Sequence, residues 1–150
     1  MYLQNFGQAW FESMVSRMKL IGDSEGIKFS YGGSTANTFD SHRLIWKARE
    51  EGGSMLQNKL VEILFKAYFE EEKCIGEQSV LMNCAEKAGM DATEMFQDTD
   101  IGKKETLNEV KHFRQAYGVT GVPFLVFDEK YTSSGAESAD DIMTMFEKLL

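Results

Sequence analysis

The sequence predicts a mostly helical α/β protein: about six helices, then a proline-containing turn, a β-hairpin and a C-terminal helix. Two observations carry this prediction. Apolar residues recur every three or four positions through most of residues 6–117, which is the pattern of amphipathic helices. The uncharged segment from Gly118 to Phe127 then holds the single proline, Pro123, and ends in a continuous apolar run.

Composition limits the class of protein and its partners. The chain has 150 residues, of which 43% are hydrophobic and 27% charged, as expected of one globular domain. Its net charge of -8 argues against binding to nucleic acid or to an anionic membrane surface. Neither a membrane-spanning apolar run nor a signal-peptide pattern is present in the sequence, so we expect a cytoplasmic location.

The first predicted helix carries an apolar stripe that we expect to pack in the core. The stripe includes Phe6, Trp10, Met14 and Met18, and the helix ends near Gly22. Residues 27–31 alternate between apolar and polar side chains over too short a length for a secure strand. We therefore expect an extended segment there.

The second helix begins at a polar segment. Asn37 or Thr38 can accept hydrogen bonds from the first N–H groups of the helix, and Asp40 in the first turn suits the helix dipole. Gly52-Gly53 is expected to end this helix, and the third helix is predicted over residues 54–72.

The remaining helices are predicted from apolar periodicity and from capping patterns. Two segments match a capping box, in which a polar side chain and an acidic side chain three residues later satisfy free N–H groups: Asp91-Ala92-Thr93-Glu94 and Ser138-Ala139-Asp140-Asp141. The predicted helices are residues 77–87, a short one through Phe96, residues 103–117, and a last one after Ser138.

The hairpin follows the proline. Phe124 to Phe127 are all apolar, which is typical of a strand buried on both faces, and Tyr131-Thr132-Ser133 is its predicted partner. Pro123 fits the first position of the strand because it lacks an N–H group. The Val122-Pro123 bond is the one X-Pro bond that could be cis.

The thiols and histidines do not form a recognisable reactive or metal site. Cys74 and Cys84 are too far apart for a Cys-x-x-Cys pair, and His42 and His112 lack zinc-ligand spacing with them. We expect no metal and no cofactor. Cys84 is interpreted as a small buried residue and Cys74 as a turn residue. For His42, a partly buried histidine that donates to a backbone carbonyl is favoured over a general base.

Three segments of the sequence resemble a known family, in which they occur in the same order along the chain. They are Gly118-Val119-Thr120-Gly121-Val122-Pro123-Phe124, Asn37-Thr38-Phe39-Asp40-Ser41-His42-Arg43-Leu44 and Phe65-Lys66-Ala67-Tyr68-Phe69. Together they resemble DsbA-like thioredoxin-fold proteins, most closely the FrnE-type branch. The resemblance covers nearly the whole chain from Phe6 onwards.

The resemblance implies a thioredoxin-like fold with a helical insertion and, here, an incomplete sheet. Residues 1–150 would form one domain, with the insertion over residues 37–117 and the C-terminal thioredoxin half over residues 118–150. The family catalyses thiol–disulfide exchange. It docks a peptide or a small thiol substrate against the cis-proline loop, which corresponds to Val122 and Pro123. Three further residues would line the site: Asn37, Thr38 and His42.

The sequence departs from the family at the redox centre. Family members carry a Cys-x-x-Cys pair near their N-terminus, and this chain has none. We therefore expect an N-terminally truncated member that has no catalytic residue and is inactive alone. Two alternatives stay open. One is a glutathione-binding protein similar to the kappa-class transferases and isomerases, and the other is a non-enzymatic interaction domain.

An incomplete sheet also predicts a partner. A two-stranded hairpin is marginally stable, and an apolar strand without a neighbour exposes unpaired backbone groups. We expect a homodimer or another protein partner at the strand edge near Phe124–Phe127.

Overall fold

The computed structural model describes residues 7–150 and has the predicted mostly helical architecture with a small antiparallel sheet. The elements in order are α1 Gln8–Ser24, α2 Phe39–Phe69, α3 Gln78–Ala88, α4 Thr93–Gln97, α5 Lys103–Tyr117, β1 Phe124–Phe127, β2 Tyr131–Ser134 and α6 Ala139–Glu147. The chain forms two compact units. The first ends at Thr106, and the second spans Leu107–Leu150, so the boundary falls within α5.

The core of the first unit lies where α2, α3 and α4 pack together. Its largest fully buried side chains come from all three helices: Leu44, Leu60, Leu81, Cys84 and Met95. Burying one large apolar side chain stabilises the folded state by about 1.5–3 kcal/mol relative to leaving it exposed. Cys84 therefore occupies the predicted interior position.

Helix α2 is broken at the predicted position. Gly52 and Gly53 both leave helical geometry, and Gly53 adopts φ 63° and ψ -160°, which side-chain-bearing residues rarely reach. The helix resumes on the other side of this kink, and it ends at Phe69 instead of the predicted Glu72. Glu72 itself has a left-handed φ of 56°, so residues 70–72 turn away from the helix axis.

Helix α1 does not bury the stripe that its sequence pattern predicts. Gly22 is its buried residue, whereas in the stripe Trp10 is 46% exposed and Met14 and Met18 are only partly buried. Among the described helices the extensive packing is between α2 and α3, and α1 lacks an equivalent helix partner. Phe6, at the predicted start of this stripe, lies outside the described residues.

The segment after α1 is extended without joining a sheet, as predicted. It is held to the end of α2 by hydrogen bonds from Ser30 N–H to the Phe69 carbonyl and from Gly32 N–H to the Glu72 carboxylate, at 2.8 and 2.9 Å. The Ser30 hydroxyl also donates to Glu72. The Ser30 hydroxyl and the Gly32 N–H both lower the pKa of Glu72, and the hydroxyl has the larger effect.

The second unit contains the hairpin. Strands β1 and β2 pair antiparallel with Phe124 opposite Ser134 and Phe127 opposite Tyr131. Asp128 and Glu129 turn the chain with φ values of 49° and 56°. Helix α6 covers one face of β1 through an edge-to-face contact between Phe127 and Phe146, whose ring centroids are 5.7 Å apart.

The last helix begins with the predicted cap. The Ser138 hydroxyl oxygen accepts from the Asp141 N–H at 3.2 Å, which satisfies a free donor of the first turn. The other predicted capping box takes a different form. Ala92 occupies the N-cap position, and Asp91 accepts from the Thr93 N–H at 2.8 Å.

Within residues 7–150, the helices fall short of the combined length and apolar character that crossing a bilayer would require.

Candidate functional site

The start of α2 holds three of the predicted site residues. Thr38 is the N-cap residue, but its side chain makes no capping bond. The Asn37 side-chain oxygen instead accepts from the Phe39 N–H at 2.9 Å, and Asp40 lies in the first turn as predicted. Asn37 therefore contributes to helix initiation from one residue ahead of the cap.

His42 faces solvent. Its side chain is exposed, and its ring makes no hydrogen bond to another described residue. The interpretation of His42 as a partly buried donor to a backbone carbonyl is therefore wrong. The periodic pattern could not distinguish the two cases, because His42 lies between the buried residues Ser41 and Arg43.

Arg43 fixes the orientation of this helix start. It is 2% exposed, and its guanidinium donates to the carbonyls of Ile101, Met95 and Asp98 at 2.8, 3.0 and 3.1 Å. It also pairs with Asp40 at 2.8 Å. One buried cation thus donates to three carbonyls at the end of α4 and in the turn that follows it. Sequence reasoning missed this residue because an arginine in an amphipathic pattern is normally exposed.

A glycine brings a second loop against the site. A Cβ atom added at Gly76 would lie 2.6 Å from the Ala36 Cβ and 2.8 Å from the Asn37 carbonyl oxygen. The turn that contains Gly76 therefore contacts the backbone of Ala36 and Asn37, and only glycine permits this approach. The sequence around Ile75-Gly76 gives no indication of this contact.

The turn before β1 holds the other two predicted residues. The Val122-Pro123 bond is cis, and both residues are exposed, Val122 to 90%. The Pro123 carbonyl accepts from the Gly135 N–H at 3.0 Å, which ties the turn to the end of β2. Val122 itself makes no backbone hydrogen bond to another described residue. Its N–H and C=O groups therefore have no partner among residues 7–150.

The predicted site residues therefore form two groups. Asn37, Thr38 and His42 lie together at the start of α2 in the first unit, and Val122 and Pro123 lie in the second.

Both thiols are buried, and they are not bonded to each other. Cys74 and Cys84 are both buried and both free, so no disulfide joins them. Burial raises the pKa of the Cys84 thiol, which keeps it protonated and poorly nucleophilic. Residues 7–150 contain no group of three or more potential metal ligands.

A comparison with protein-family models identifies the family of this chain. The model of DSBA-like thioredoxin domains matches residues 6–147, nearly the whole chain. The chain belongs to this family. No curated protein shows significant similarity to the sequence. Membership in the DSBA-like family places the chain among thiol–disulfide oxidoreductases and accounts for the helical body followed by a hairpin and a helix.

Proposed function

We propose that the turn before β1 is the substrate-docking part of a thiol–disulfide oxidoreductase, and that this chain does not carry out the exchange reaction alone. One observation carries the proposal: the exposed backbone of Val122 offers an unpaired donor and acceptor directly before Pro123. An extended peptide or a small thiol substrate can pair with such groups as an added strand does.

The thiols support the second half of the proposal. Thiol–disulfide exchange needs an attacking thiolate and a resolving thiol. The chain has no Cys-x-x-Cys pair, and both of its thiols are buried. Redox activity would therefore require a thiol pair from elsewhere, and the chain alone acts as a binding domain.

Asn37, Thr38 and His42 are proposed as a further substrate-contacting surface at the start of α2. The exposure of the Asn37 and His42 side chains supports this role, as does the family resemblance of the segment that contains them. Arg43 acts as a positioning residue there, because its hydrogen bond to the Met95 carbonyl holds the first turn against the end of α4, and Asp40 orients it through an ion pair within that turn.

Amide shifts in a titration test the docking proposal. The probe is a short unstructured peptide with one cysteine, added to the isotopically labelled chain under reducing conditions. We expect the Val122 amide to shift, and Val122→Pro to weaken binding because it removes the donor. Thr120→Pro is the matched control, since it makes the same change in the same exposed turn. Equal binding by both variants, or no shift at Val122, would contradict docking there.

An insulin-reduction assay tests the absence of redox activity. We expect none above the uncatalysed rate for the chain alone. Turnover that disappears in Cys74→Ser or Cys84→Ser would overturn the proposal. A chain that is redox-inert and also fails to bind the peptide would leave the interaction-domain alternative as the better description. Retention on immobilised glutathione would instead favour the glutathione-binding alternative.

We also propose that the edge of β1 accepts a protein partner. Strand β1 has β2 on one side, and no other strand of residues 7–150 lies on its other side. An apolar strand with a free edge is a template for pairing with another chain.

A further inference from the structure

A crevice opens on the solvent side of α3, beside the turn that leads into α4. Its volume is about 530 Å³, which lies within the range of small-ligand sites. The opposite side of α3 packs in the core through Leu81, Cys84 and Ala88. The crevice lies within the first unit, and neither the hairpin nor the start of α2 contributes to its walls.

The turn at the end of α3 shapes the crevice. Gly89 has a left-handed φ of 92°, and its N–H donates to the Glu86 carbonyl at 2.9 Å. The Met90 N–H donates to the Ala85 carbonyl at 3.0 Å, which closes the turn over the last carbonyls of the helix. As a result Met90 is buried against the crevice and Asp91 is exposed beside it.

The floor of the crevice is apolar and adaptable. Met90 and Ala92 line it from the turn and are buried, whereas Met82 lines it from α3 and is 38% exposed. Methionine side chains are flexible and polarisable, so they adjust to different apolar partners and are common at binding surfaces. This floor can therefore accept the aliphatic part of a ligand.

The rim of the crevice is acidic, and its acceptors are not engaged within the described chain. Glu86 and Asp91 are the charged residues that line the crevice, and neither forms an ion pair with another residue of the range 7–150. The side chains of Ser79, Asn83 and Glu86 make no hydrogen bond to another described residue. Because these three are spaced by four and three positions, they share one face of α3.

Thr93 keeps Asp91 ionised and in place. The hydroxyl and the N–H of Thr93 lower the pKa of the Asp91 carboxyl, and the N–H donates to it at 2.8 Å. Lys47 also acts on Asp91, but more weakly, and its ammonium group pairs with Glu51 at 2.6 Å. Neither lysine nor arginine lines the crevice, so its negative charge is not neutralised there.

The surrounding segment reinforces this charge. Residues 77–100 contain six acidic residues and one basic residue. A local excess of this kind attracts cations and opposes anionic ligands. An apolar floor under an anionic rim matches a ligand with an aliphatic stem and a cationic head, which is the form of arginine and lysine side chains.

We propose that this crevice binds an arginine side chain of a partner protein, presented next to an apolar residue. The guanidinium lies at the acidic rim and its stem on the methionine floor. Arginine is favoured over lysine because the rim offers several separate acceptors, which suit a planar group with several donors better than a compact ammonium. The crevice is larger than one guanidinium group, so the apolar neighbour occupies the rest of the floor. The site is separate from docking at Val122 and does not depend on it.

Amide shifts in a titration of the labelled chain test this site. The probe is a capped leucine–arginine–leucine peptide, and the matched probe carries citrulline, the uncharged analogue of arginine. We expect the amides of Ser79, Asn83 and Glu86 to shift, and the citrulline peptide to bind about tenfold more weakly. Absence of shifts at these residues, or equal binding of the two peptides, would overturn the proposal.

Two charge-neutralising variants separate the crevice from general attraction. Glu86→Gln removes a rim carboxylate, and Glu94→Gln makes the same change at an exposed residue of the same acidic segment that does not line the crevice. We expect the first to weaken arginine-peptide binding by about fivefold or more and the second by less than about twofold. Equal weakening would overturn the proposal. Asp91→Asn is a second rim variant that can still accept from the Thr93 N–H.

Arginine amide without flanking residues tests the apolar part of the ligand. We expect it to bind more weakly than the peptide, and Met82→Ser to reduce that difference. Equal binding of arginine amide and the peptide would assign the crevice to a small organic cation and overturn the protein partner. Shifts at Val122 with the cysteine peptide report the other site, so the failure of either proposal is distinguishable from the failure of the other.

Discussion

The guanidinium of Arg43 and the main-chain carbonyl of Met95 are joined by a buried hydrogen bond of 3.0 Å across 52 residues of sequence. This bond links the first turn of α2 to the end of α4, and the same side chain reaches two further carbonyls and Asp40. Because residues 41–43 share one helical turn, anchoring Arg43 inward leaves His42 facing solvent. The exposed histidine is thus a consequence of the buried arginine.

Replacing this arginine should be costly. Arg43→Met leaves the buried Met95 carbonyl and the half-buried Ile101 carbonyl without the arginine donor, and we expect it to lower the free energy of unfolding by roughly 3 kcal/mol. Urea denaturation followed by circular dichroism measures the change. The matched control is Arg49→Met, an exposed arginine on the same helix, which should change stability by less than about 0.5 kcal/mol. Similar losses in the two variants would argue against the network.

Gly76→Ala tests the contact between the Gly76 turn and the start of α2. The added methyl would collide with the Ala36 side chain and the Asn37 carbonyl, so we expect a loss of about 1–3 kcal/mol and displaced amide shifts at Asn37 and Phe39. Gly121→Ala is the control, since a Cβ there meets no atom within 4 Å. Unchanged shifts at Asn37 in the folded Gly76 variant would show that the two segments are not in contact.

Glu72 should make stability depend on pH. Its pKa is lowered in the folded state by the Ser30 hydroxyl and the Gly32 N–H, so the ionised carboxylate stabilises the fold. This contribution is present above the unfolded-state pKa of about 4.3 and is lost as the pH falls through the lower folded-state pKa. We therefore expect wild type to exceed Glu72→Gln in stability at pH 7 and to lose that advantage in acid.

Thermal unfolding across pH 2–7 or so measures this effect. Glu71→Gln is the neighbouring control, because the Glu71 carboxylate accepts no hydrogen bond from another described residue. A difference between wild type and Glu72→Gln that stays constant with pH would contradict the assignment.

A single substitution in the hairpin turn should raise the free energy of unfolding. Glu129 adopts a left-handed φ of 56°, which costs a non-glycine residue roughly 1–2 kcal/mol. Glu129→Gly relieves this cost, partly offset by the entropy that glycine loses on folding, so a net gain of about 0.5–1 kcal/mol is expected. Lys130→Gly, at the adjacent position without a positive φ, should be neutral or destabilising. Denaturant midpoints of the two variants in the opposite order would refute this reading.

The fold was largely predictable because its determinants are local. The glycine pair in α2, the cap at Ser138 and the apolar run of β1 each act on neighbouring residues, and each appears in the structure. The end of α2 was placed three residues too late. Glu72 turns out of the helix to accept hydrogen bonds from Ser30 and Gly32, forty residues earlier, and the helical pattern contains no trace of them.

The surroundings of the candidate site were less predictable because they depend on distant contacts. Asn37 and Asp40 could be assigned to a helix start from their own chemistry. The role of Arg43 depends on carbonyls more than fifty residues away, and that of Gly76 depends on the backbone of Asn37. The stripe of α1, which is only partly buried, shows the opposite error, since amphipathic periodicity identifies an apolar face but not what covers it.

Because both cysteines are buried, the reactivity of their thiols reports whether the chain is folded. A colour-forming thiol reagent should find neither sulfhydryl while the chain is native and both once denaturant opens the core around Leu81 and Met95. The same concealment would protect the chain from alkylation and peroxide under conditions that inactivate relatives with exposed nucleophiles.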